Sequence, residues 1–471
     1  MANELGGNQT VMTQALVAIV MAAGKGTRMK SEKPKVLHEI AGEPLLGHVL
    51  ITLGALAPQD VYVIVGHGAE MVKAMLPPTA TPVLQAEQLG TGHAVDQVKP
   101  HLNQFDGTVL ILSGDVPLLS AETLQALMSQ HEQENAVLTF LTTELADPTG
   151  YGRILRDADG RIQGIVEQKD ATAEQRAIRE VNLGTYACSW KHLAEALGTL
   201  TPNNAQGEYY LTDAIAYLVN GGHRVASYIT PDSMECAGIN TRAELARLQG
   251  EYNRRTAARW MVEGVTFLAP ETAIVGPRVT LGHDTIVEPG VILLGETTVG
   301  KRCLLGAYSQ LTNVTLGDDV EVLHSYLVDS AVGDRTHVGP YAHLRGGAKV
   351  GSDVRLGNFV EVKKSTLGDG TKAAHLAYLG DATIGKKVNI GCGVITVNYD
   401  GTKKSQTLIG DGAFVGSNSN LVAPITVGDE GYVAAGSTIT DSVPAGALAI
   451  GRGRQVNKEG WVAKRKGVPT K

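Results

Sequence analysis

Cysteine is scarce in this chain of 471 residues, and no two of its four cysteines are close in sequence. Cys188, Cys236, Cys303 and Cys392 form no CxxC pair. Cysteines so widely spaced argue against a zinc knuckle and against a framework of disulfide bonds. We therefore expect a protein of a reducing compartment, the cytoplasm.

The sequence also lacks a strong charge of one sign and any hydrophobic run long enough to cross a membrane. The formal net charge is −7, which gives no general attraction to nucleic acid. The apolar run from Leu16 to Ala23 is too short for a bilayer, and no basic segment precedes it, as a signal peptide would require. We expect neither nucleic acid nor membrane as a partner, and we interpret the run as a buried parallel strand.

What the sequence does contain is an aliphatic residue at every sixth position, usually followed by a small residue, from Val275 to Ile439. This period is typical of a parallel β-helix, in which each six residues form one short strand and a corner. Neither the helical period of 3.6 nor the strand alternation of 2 produces it. A loop-rich β-sandwich is the alternative, but unrelated turns would not keep this register. We predict that the aliphatic residues point inward and that the glycines let the backbone turn.

The repeat divides the chain into two parts. Before it, short apolar runs such as residues 18–21 and 61–65 alternate with helical patterns such as 122–131, which indicates a doubly wound α/β sheet. Within it, the six-residue rule fails between Thr396 and Thr407, which predicts an inserted loop. The predicted segments are a disordered extension at 1–14, a first domain at 15–240, a connecting helix at 241–263, a β-helix at 264–452 and a tail at 453–471.

A loop of small residues follows the first predicted strand, with the sequence Ala22-Ala23-Gly24-Lys25-Gly26-Thr27-Arg28-Met29. Backbone N–H groups in such a loop can bind phosphate, and Lys25, Arg28 and the nearby Lys35 add positive charge. We expect a helix to begin after the loop. It is neither a Walker A motif nor a dinucleotide fingerprint, because GxxxxGK[ST] and GxGxxG are absent. A tight turn with solvated lysines is the alternative.

Two further loops follow predicted strands. Asp115, directly after the strand at 109–113, can hold Mg²⁺ that bridges phosphates; the alternative is an aspartate that caps the next helix. In the loop of residues 84–93, Gln85 and the turn at Gly90-Thr91 could read the edge of a nucleobase, or the loop is simply polar. Ligands of doubly wound sheets bind at the carboxyl ends of the strands, which is where these loops are expected.

Together, residues 22–29, Pro34-Lys35, residues 85–93 and Gly114-Asp115 resemble the sugar-1-phosphate nucleotidyltransferases. Followed by a hexapeptide β-helix, the chain is similar to the bifunctional bacterial family of N-acetylglucosamine-1-phosphate uridyltransferases and glucosamine-1-phosphate N-acetyltransferases. The resemblance implies a Rossmann-like α/β nucleotidyltransferase domain followed by a left-handed parallel β-helix. It also implies a homotrimer, Mg²⁺ as cofactor and acetyl-CoA as co-substrate. The implied product is UDP-N-acetylglucosamine, made by acetylation and then by uridylyl transfer from UTP with release of pyrophosphate.

By this resemblance, Lys25 and Arg28 are the catalytic cations of uridylyl transfer, and Asp115 and Asn240 hold Mg²⁺. The family often has an aromatic residue where this chain has Ser113, a difference that concerns a minor nucleoside contact. The residues expected to bind UTP or the UDP-sugar are Met21, Ala22, Ala23, Gly24, Lys35, Gln85, Gly90, Thr91, Gly152, Glu167, Asn182, Tyr210, Thr212 and Asn240.

In the repeat region, polar side chains crowd one stretch just before the inserted loop. His375 is the natural base for acetyl transfer, because an imidazole can take a proton near neutral pH. Arg345 and Lys363 suit a sugar phosphate. A lone surface histidine would be the ordinary alternative. The resemblance adds Tyr378 and Asn389 as contacts of glucosamine 1-phosphate, and Glu361 as a possible partner of His375.

The resemblance also implies a site for acetyl-CoA at the end of the repeat array. Lys404 in the inserted loop is expected to add positive charge for the coenzyme. Cys392 departs from the family, which commonly has alanine there, and we interpret it as a packing residue rather than a reactive thiol. The predicted acetyl-CoA-binding residues are Cys392, Asn398, Tyr399, Ser417, Ala435 and Arg452.

Two other functions are weighed against the bifunctional enzyme. One is a nucleotidyltransferase with a single activity, whose β-helix only assembles or regulates; the cluster around His375 argues against it. The other is a non-enzymatic sensor of nucleotide sugars, against which Lys25, Arg28 and Asp115 argue. A zinc site in the β-helix is not expected, because His337 and His343 are six residues apart and fall on different faces of a coil.

Overall fold

The structure is a computed structural model that describes residues 15–466. The chain divides into two compact units, with the boundary between Tyr252 and Asn253. The predicted extension at 1–14 and the end of the tail, residues 467–471, lie outside the described residues. None of the helices within 15–466 is long and apolar enough to cross a membrane.

The first unit contains an α/β sheet and helices around it. Its strands are β1 (Leu16–Ala22), β2 (Glu39–Ile40), β3 (Glu43–Pro44), β4 (Asp60–Val65), β5 (Ala80–Leu84), β6 (Thr108–Ser113), β7 (Leu138–Glu144), β8 (Arg153–Arg156), β9 (Ile162–Val166), β10 (Glu180–Ser189) and β11 (Val225–Ile229). Its helices are α1 (Leu45–Gly54), α2 (Ala69–Lys73), α3 (Thr91–Asp96), α4 (Ala121–Gln133), α5 (Ala173–Arg176), α6 (Trp190–Leu197), α7 (Asp213–Asn220) and the beginning of α8 (Arg242–Val262).

The centre of this sheet is parallel, as the alternation of strands and helices predicts. The strand order is β11-β7-β10-β6-β1-β4-β5, and β1 pairs in parallel with both β4 and β6. One strand differs from the expectation, because β10 is antiparallel to β6 and β7. The short hairpin β8–β9, and not a long crossover helix, leads from β7 towards β10, and parallel pairing requires such a crossover.

Both faces of the sheet are covered by helices. Val17 and Ile19 of β1 pack with residues of α3, α6 and α7, whereas Ala18 and Val20 pack with residues of α1 and α4. All four side chains are fully buried. Burial of a Val or Ile side chain stabilises the fold by about 1.5–3 kcal/mol, so the two apolar layers fix β1 in the centre of the sheet. The loop after Ala22 is thereby held at the carboxyl edge.

The helix α8 covers residues 242–262 of the predicted segment 241–263. In its first part Leu248 is fully buried, and the Tyr252 ring contacts the ring of His48 with 5.1 Å between centroids. In its second part Ala257 belongs to the core of the β-helix, and Trp260 packs against that core. The role of this helix as a connector between domains stays a prediction.

The second unit is a stack of short parallel strands followed by one small helix. The strands are β12 (Thr266–Phe267), β13 (Ile274–Val275), β14 (Thr280–Leu281), β15 (Ile286–Val287), β16 (Ile292–Leu294), β17 (Thr298–Val299), β18 (Leu304–Leu305), β19 (Gln310–Leu316), β20 (Glu321–Val322), β21 (Tyr326–Val332), β22 (His337–Val338), β23 (His343–Arg345), β24 (Lys349–Val350), β25 (Arg355–Lys363), β26 (Thr366–Leu367), β27 (Lys372–Gly380), β28 (Ala382–Ile384), β29 (Asn389–Ile390), β30 (Ile395–Val397), β31 (Thr407–Ile409), β32 (Phe414–Val415), β33 (Asn420–Val422), β34 (Ile425–Val427), β35 (Tyr432–Val433), β36 (Thr438–Ile439) and β37 (Leu448–Ala449), and the helix is α9 (Trp461–Arg465).

Each of these strands pairs in parallel with a strand of the next coil, so residues one coil apart are neighbours. Ile274 is paired with Ile292, 18 residues later, and Gln310 is paired with Tyr326, 16 residues later. The aliphatic repeat residues point inward and join one continuous core that runs from Ala257 to Val443. The parallel β-helix predicted from the six-residue period is therefore present.

The prediction that the glycines let the backbone turn is only partly right. Gly282 follows the inward Leu281, and a Cβ there would lie 2.5 Å from the carbonyl carbon of Gly300 in the next coil. The left-handed corner comes two residues later, at Asp284 (φ 59), and the next coil repeats it at Arg302 (φ 56). Glycine thus permits close stacking of coils, while other residues make the turn.

The interruption of the repeat is a loop that leaves the stack. Asn389 is paired with Phe414, 25 residues later, whereas Phe414 is paired with Tyr432 after the usual 18. The additional residues form a loop with a bridge between Tyr399 and Lys404. The β-helix resumes its register beyond the loop, which corresponds to the failure of the six-residue rule between Thr396 and Thr407.

Candidate active sites

The loops after β1, β5 and β6 surround a cavity of about 460 Å³ in the first unit. It lies at the carboxyl ends of parallel strands, where doubly wound sheets bind ligands. Ser113 is among its lining residues. The predicted site residues that line the cavity are Met21, Ala22, Ala23, Gly24, Lys25, Lys35, Gln85, Gly90, Thr91 and Asp115.

The loop after β1 is shaped by one glycine. Gly26 has φ 58, and a Cβ there would lie 2.7 Å from Cβ of Lys35, so only glycine lets the loop lie against Lys35. The prediction of a helix directly after the loop is wrong, because Thr27–Met29 form only a single 3₁₀ turn. Lys25 and Arg28 are exposed, and neither has an ion-pair partner within residues 15–466. Both cations are therefore free to meet an anion.

Gln85 is buried at the floor of this cavity, with 3% of its surface exposed. Its Nε2 donates to the carbonyl oxygen of Gly90 at 3.1 Å and lies 3.1 Å from Nδ1 of His93. These contacts fix the amide plane and leave Oε1 as an acceptor for an outside donor, such as the N–H of a nucleobase. Gly90 has φ 115, and a Cβ there would lie 2.5 Å from the carbonyl oxygen of Tyr209.

The two predicted metal ligands, Asp115 and Asn240, both contact the ammonium group of Lys35. Nζ of Lys35 donates to the carboxylate of Asp115 and to Oδ1 of Asn240, the latter at 3.1 Å. The backbone N–H of Asn240 is held by the Glu244 carboxylate at 2.7 Å. A carboxylate and an amide oxygen that already share one ammonium suit a small divalent cation, which takes one or two protein oxygens and completes its shell with phosphate and water. The residues present therefore fit Mg²⁺.

The residues predicted for the sugar form a second group. The hydroxyl of Thr212 donates to Oε1 of Glu167 at 3.1 Å, and the N–H of Asn182 donates to the carbonyl of Gly152 at 2.9 Å. A Cβ on Gly152 would lie 3.4 Å from the Glu167 carboxylate. Burial raises the pKa of Glu167 above its ordinary value, and the bond from Thr212 opposes that shift. The group offers a half-buried carboxyl for the hydroxyls of a sugar.

The nucleotide group and the sugar group are connected. Oγ1 of Thr91 accepts from the backbone N–H of Leu211 at 3.0 Å. The positions on either side of Leu211 are also held by neighbours: the hydroxyl of Tyr210 accepts from Gln206 at 2.8 Å, and Thr212 contacts Glu167. One short segment therefore links the cavity to the carboxyl group of Glu167.

On the β-helix, the predicted base is held by an unexpected partner. Nδ1 of His375 lies 3.0 Å from Oδ1 of Asn358, which occupies the same position one coil earlier. The suggested pairing of His375 with Glu361 is wrong. Nε and Nη2 of Arg345 both contact Oε1 of Glu361, at 2.9 and 2.6 Å, so this carboxylate orients the arginine instead.

A second set of polar residues lies around Lys363 and Lys404. The ammonium of Lys363 is so close that its contact and charge lower the pKa of Lys404, which indicates a place for an anion between the two cations. The hydroxyl of Tyr378 lies over Gly380, where a Cβ would be within 2.4 Å of it, and Gly380 is paired with Lys363. Lys404 is thus beside Lys363, which is predicted for the sugar phosphate, and it is also bridged to Tyr399, which is predicted for the coenzyme.

The predicted coenzyme residues divide into two groups. Cys392, Ser417 and Ala435 continue the column of His375 on successive coils, since the N–H groups of Gly393, Asn418 and Gly436 donate to the carbonyls of Leu376, Cys392 and Ser417. Arg452 lies next to Gly436 at the end of that column. Asn398 and Tyr399 are in the inserted loop: Asn398 donates to Asp381 at 2.5 Å, and the Tyr399 hydroxyl donates to Gly401. Asn389 is paired with Lys372 and Phe414.

Sequence reasoning missed Asn358 and Asp381. Both can be found by counting one coil, because Asn358 precedes His375 by 17 residues and Asp381 precedes Asn398 by the same number. The pattern of aliphatic residues gives that distance directly. Motifs along the chain do not contain these pairs, because the two members of each pair lie on adjacent coils.

Other cavities and histidines do not form a comparable site. A cavity of about 580 Å³ includes Arg156 and Arg224 in its lining, but these pair with Glu180 and Glu134. In the β-helix, His337 contacts Glu321 at 2.9 Å, and no cluster of three or more metal-ligating side chains occurs among the described residues.

Comparison with known proteins gives the same two parts. Residues 18–182 match the family described as MobA-like NTP transferase domain. Residues 329–364 match the bacterial transferase hexapeptide (six repeats), and residues 296–322 and 406–441 match the hexapeptide repeat of succinyl-transferase. The fold and the sites thus define a transferase with an NTP transferase domain and a left-handed β-helix of hexapeptide repeats, as predicted.

Full-length relatives narrow this class. The chain is 51% identical over 456 residues to the bifunctional protein GlmU of Alkaliphilus metalliredigens, covering 97% of this chain and 100% of that protein. It is 49% identical over 448 residues to that of Halalkalibacterium halodurans (95% and 98%) and 47% identical over 448 residues to that of Clostridioides difficile (95% and 97%). The chain belongs to the GlmU family of bifunctional proteins, which confirms the resemblance.

Proposed function

We propose that the chain makes UDP-N-acetylglucosamine in two steps. The β-helix transfers the acetyl group of acetyl-CoA to glucosamine 1-phosphate, and the α/β unit then transfers a uridylyl group from UTP to N-acetylglucosamine 1-phosphate. The observation that carries the uridylyl-transfer step is the convergence of three loops on one cavity, which is lined by the cation Lys25, unpaired within residues 15–466, and by Asp115; Asp115 shares the Lys35 ammonium with Asn240. The product of the first step is the acceptor of the second.

In uridylyl transfer, the protein positions the reactants and neutralises charge. A phosphate oxygen of the sugar attacks the α-phosphorus of UTP, the bond to the bridging oxygen breaks, and pyrophosphate leaves with the electron pair. Lys25 and Arg28 stabilise the charge that develops on the phosphates. Gln85 orients the base, and Glu167 with Thr212 orients the sugar, so that the attack is in line.

Mg²⁺ would be held by Asp115 and Asn240, where it would neutralise phosphate charge as the bond breaks. Lys35 must give up its present contacts with these two residues when the metal binds. Its ammonium is then free to contact the nucleotide phosphates. Lys35 therefore contacts the Asp115 and Asn240 oxygens when the metal is absent, and it binds the nucleotide phosphates when the metal is bound.

In acetyl transfer, the amine of glucosamine 1-phosphate attacks the thioester carbonyl. Nε2 of His375 takes the proton that the amine loses, the carbon–sulfur bond breaks, and the coenzyme leaves as thiolate and is protonated. Arg345, Lys363 and Lys404 supply positive charge for the sugar phosphate, and Tyr378 a hydroxyl donor. The column of Cys392, Ser417 and Ala435 offers a continuous edge for acetyl-CoA next to the base.

We further propose that three copies of the chain associate through the β-helix. Tyr308, His324, Tyr341 and Phe359 form an aromatic ladder along the corner that carries Asn358 and His375, with ring centroids 5.9, 4.8 and 5.5 Å apart. The three Tyr and Phe residues are 68, 53 and 56% exposed. An exposed apolar stripe of this length is typical of a protein–protein interface, and closed symmetry would bury it on every copy.

Analytical ultracentrifugation tests this association. The intact protein should sediment as a trimer, and Tyr341→Arg should shift it towards monomer, because a charge would be buried in the ladder. Leu268→Arg, at an exposed apolar position of the β-helix outside the ladder, is the matched control. A monomeric wild-type protein, or a trimer that Tyr341→Arg leaves intact, contradicts the assignment.

We place both reactions in the cytoplasm. All four cysteines are free thiols, and three of them are buried. A chain of this kind suits a compartment that keeps thiols reduced, and UTP and acetyl-CoA are its proposed substrates. Fractionation of the source cells would test the location.

The decisive experiment measures both reactions on one purified protein. Release of thiol from acetyl-CoA should depend on glucosamine 1-phosphate, and pyrophosphate should form from UTP and N-acetylglucosamine 1-phosphate. Pyrophosphate without thiol release would reduce the β-helix to a scaffold. Binding of nucleotide sugars without either turnover would favour a sensor.

A further inference from the structure

Asn358 and His375 are held side by side by the stacking of two coils. Their Cα positions are paired in the register of β25 and β27. Gly357, just before Asn358, lies so close to the next coil that a Cβ would be 1.9 Å from the carbonyl oxygen of Ala374. Both coils then turn at left-handed corners directly after the two side chains. The backbone therefore fixes the distance between the amide and the imidazole.

This contact decides which ring nitrogen carries the hydrogen. Oδ1 of Asn358 is a carbonyl oxygen and can only accept a hydrogen bond, so Nδ1 of His375, at 3.0 Å, must donate. The neutral ring then has its lone pair on Nε2, the nitrogen on the far side of the ring. Among the described residues, no other side chain is within hydrogen-bond distance of the ring. His375 is exposed, so Nε2 is accessible to a substrate.

An amide has an advantage over a carboxylate at this place. A carboxylate beside an imidazole favours the protonated ring, which cannot act as a base. An amide fixes the same tautomer without adding charge. The carboxylate on the strand of Asn358, that of Glu361, is engaged by Arg345 through two contacts. The other titratable side chains on β25 and β27 are Arg355, Lys363, Lys372 and Tyr378, and Cys392 follows on the next coil.

We propose that Asn358 is a positioning residue for acetyl transfer: it selects the tautomer of the neutral His375 ring that has hydrogen on Nδ1, and it aims Nε2 at the amine of the sugar substrate. This inference rests on the proposed function of the β-helix.

Kinetics of two variants test the proposal. Asn358→Leu removes the acceptor and keeps the size, so kcat for acetyl transfer should fall roughly tenfold or more, as part of the 10²–10⁴ that general-base catalysis contributes. KM for glucosamine 1-phosphate and for acetyl-CoA should stay the same. Asn358→Asp restores the acceptor but adds charge, so the pH at which the rate reaches half its plateau should move upward. Unchanged kcat in the first variant, or an unshifted pH profile in the second, would overturn the proposal.

A double-mutant comparison separates positioning from support of the fold. If Asn358 acts through His375, then Asn358→Leu should have no further effect in a protein that already carries His375→Ala. A second loss of the same size would mean that Asn358 stabilises the coil instead. Uridylyl transfer by the same proteins should be unchanged, and their chemical denaturation should match that of the wild type, which reports that the coils of the β-helix are folded. Failure of the wild-type protein to release thiol at all would refute the proposed function, which is a different result from any of these.

Discussion

The two units assemble their sites over very different distances along the chain. In the α/β unit, Lys35 contacts Asp115 and Asn240, which are 80 and 205 positions away. In the β-helix, Arg345 contacts Glu361 and Asn358 contacts His375 over 16 and 17 positions. The first site exists only when the whole sheet is formed. The second depends on little more than the stacking of adjacent coils.

The largest expected effect is the separate loss of each activity. Asp115→Ala should lower the rate of uridylyl transfer by roughly a hundredfold or more, because a residue that would hold the phosphate-neutralising Mg²⁺ is lost, while acetyl transfer is retained. His375→Ala should do the reverse. Thiol release and pyrophosphate formation measure the two rates, and Asp60→Ala, an exposed residue at the start of β4, is the matched control. A variant that loses both activities would mean that the sites are not independent.

The two units should also differ in their response to acid. Burial in α4 lowers the pKa of His131 from 6.5 to about 4, so the unfolded chain takes up a proton before the folded chain does. The buried, neutral His131 therefore costs the fold nothing above pH 6.5. As the pH falls from 6.5 towards 4, the free energy of unfolding decreases by on the order of 3 kcal/mol.

Urea unfolding at pH 7, 6 and 5 measures this loss through the fluorescence of the buried Trp190. His131→Gln should flatten the pH dependence of the first unit.

In the β-helix, hydrogen bonds from Arg302 and Arg335 lower the pKa of Asp319 and Asp353 below 3.8. These exposed pairs contribute little to stability. The protection of the β-helix amides from exchange, relative to an unfolded chain at the same pH, should therefore change only at lower pH. Equal acid sensitivity of wild type and variant would contradict the prediction.

A smaller effect is expected from one methyl group in the stack. Gly357→Ala places a Cβ against the carbonyl of Ala374, and such overpacking destabilises by about 1–3 kcal/mol. Gly250→Ala is the control: it lies in α8 with nothing within 4 Å, where alanine should stabilise by up to about 1 kcal/mol. Chemical denaturation compares the two. Equal stability would mean that the coils can separate without loss.

The smallest effect is expected from removal of the Lys35 ammonium, which contacts both Asp115 and Asn240. Lys35→Ala removes the ammonium that competes for these oxygens, so Mn²⁺ should bind a few-fold more tightly without nucleotide, while UTP should bind less tightly. Lys33→Ala, which breaks only an exposed pair with Glu39, should change neither. Electron paramagnetic resonance of Mn²⁺ gives the metal affinity directly. An unchanged affinity would show that Lys35 does not compete with the metal.

The sequence predicts most of the fold because its signals are local. The six-residue period identifies the β-helix, and the buried runs identify β1, β4 and β6. The direction of β10 escaped prediction because it depends on the hairpin before it and not on its own residues. The partner of His375 escaped because a motif search reads along the chain, whereas the relevant neighbour is one coil away. The resemblance suggests Glu361 as the partner, but Arg345 already holds that carboxylate.

The coils of the β-helix are not equal in length. Paired residues are 16, 17, 18 or 25 positions apart, yet the strands stay in register and the core is continuous. The location of a side chain in this unit is therefore described by its coil and its face, and only indirectly by its number. Residues can be added or removed at a corner without displacing the groups on the faces. The family can thus alter a loop such as the one at Asn398–Lys404 and leave the neighbours of His375 in place.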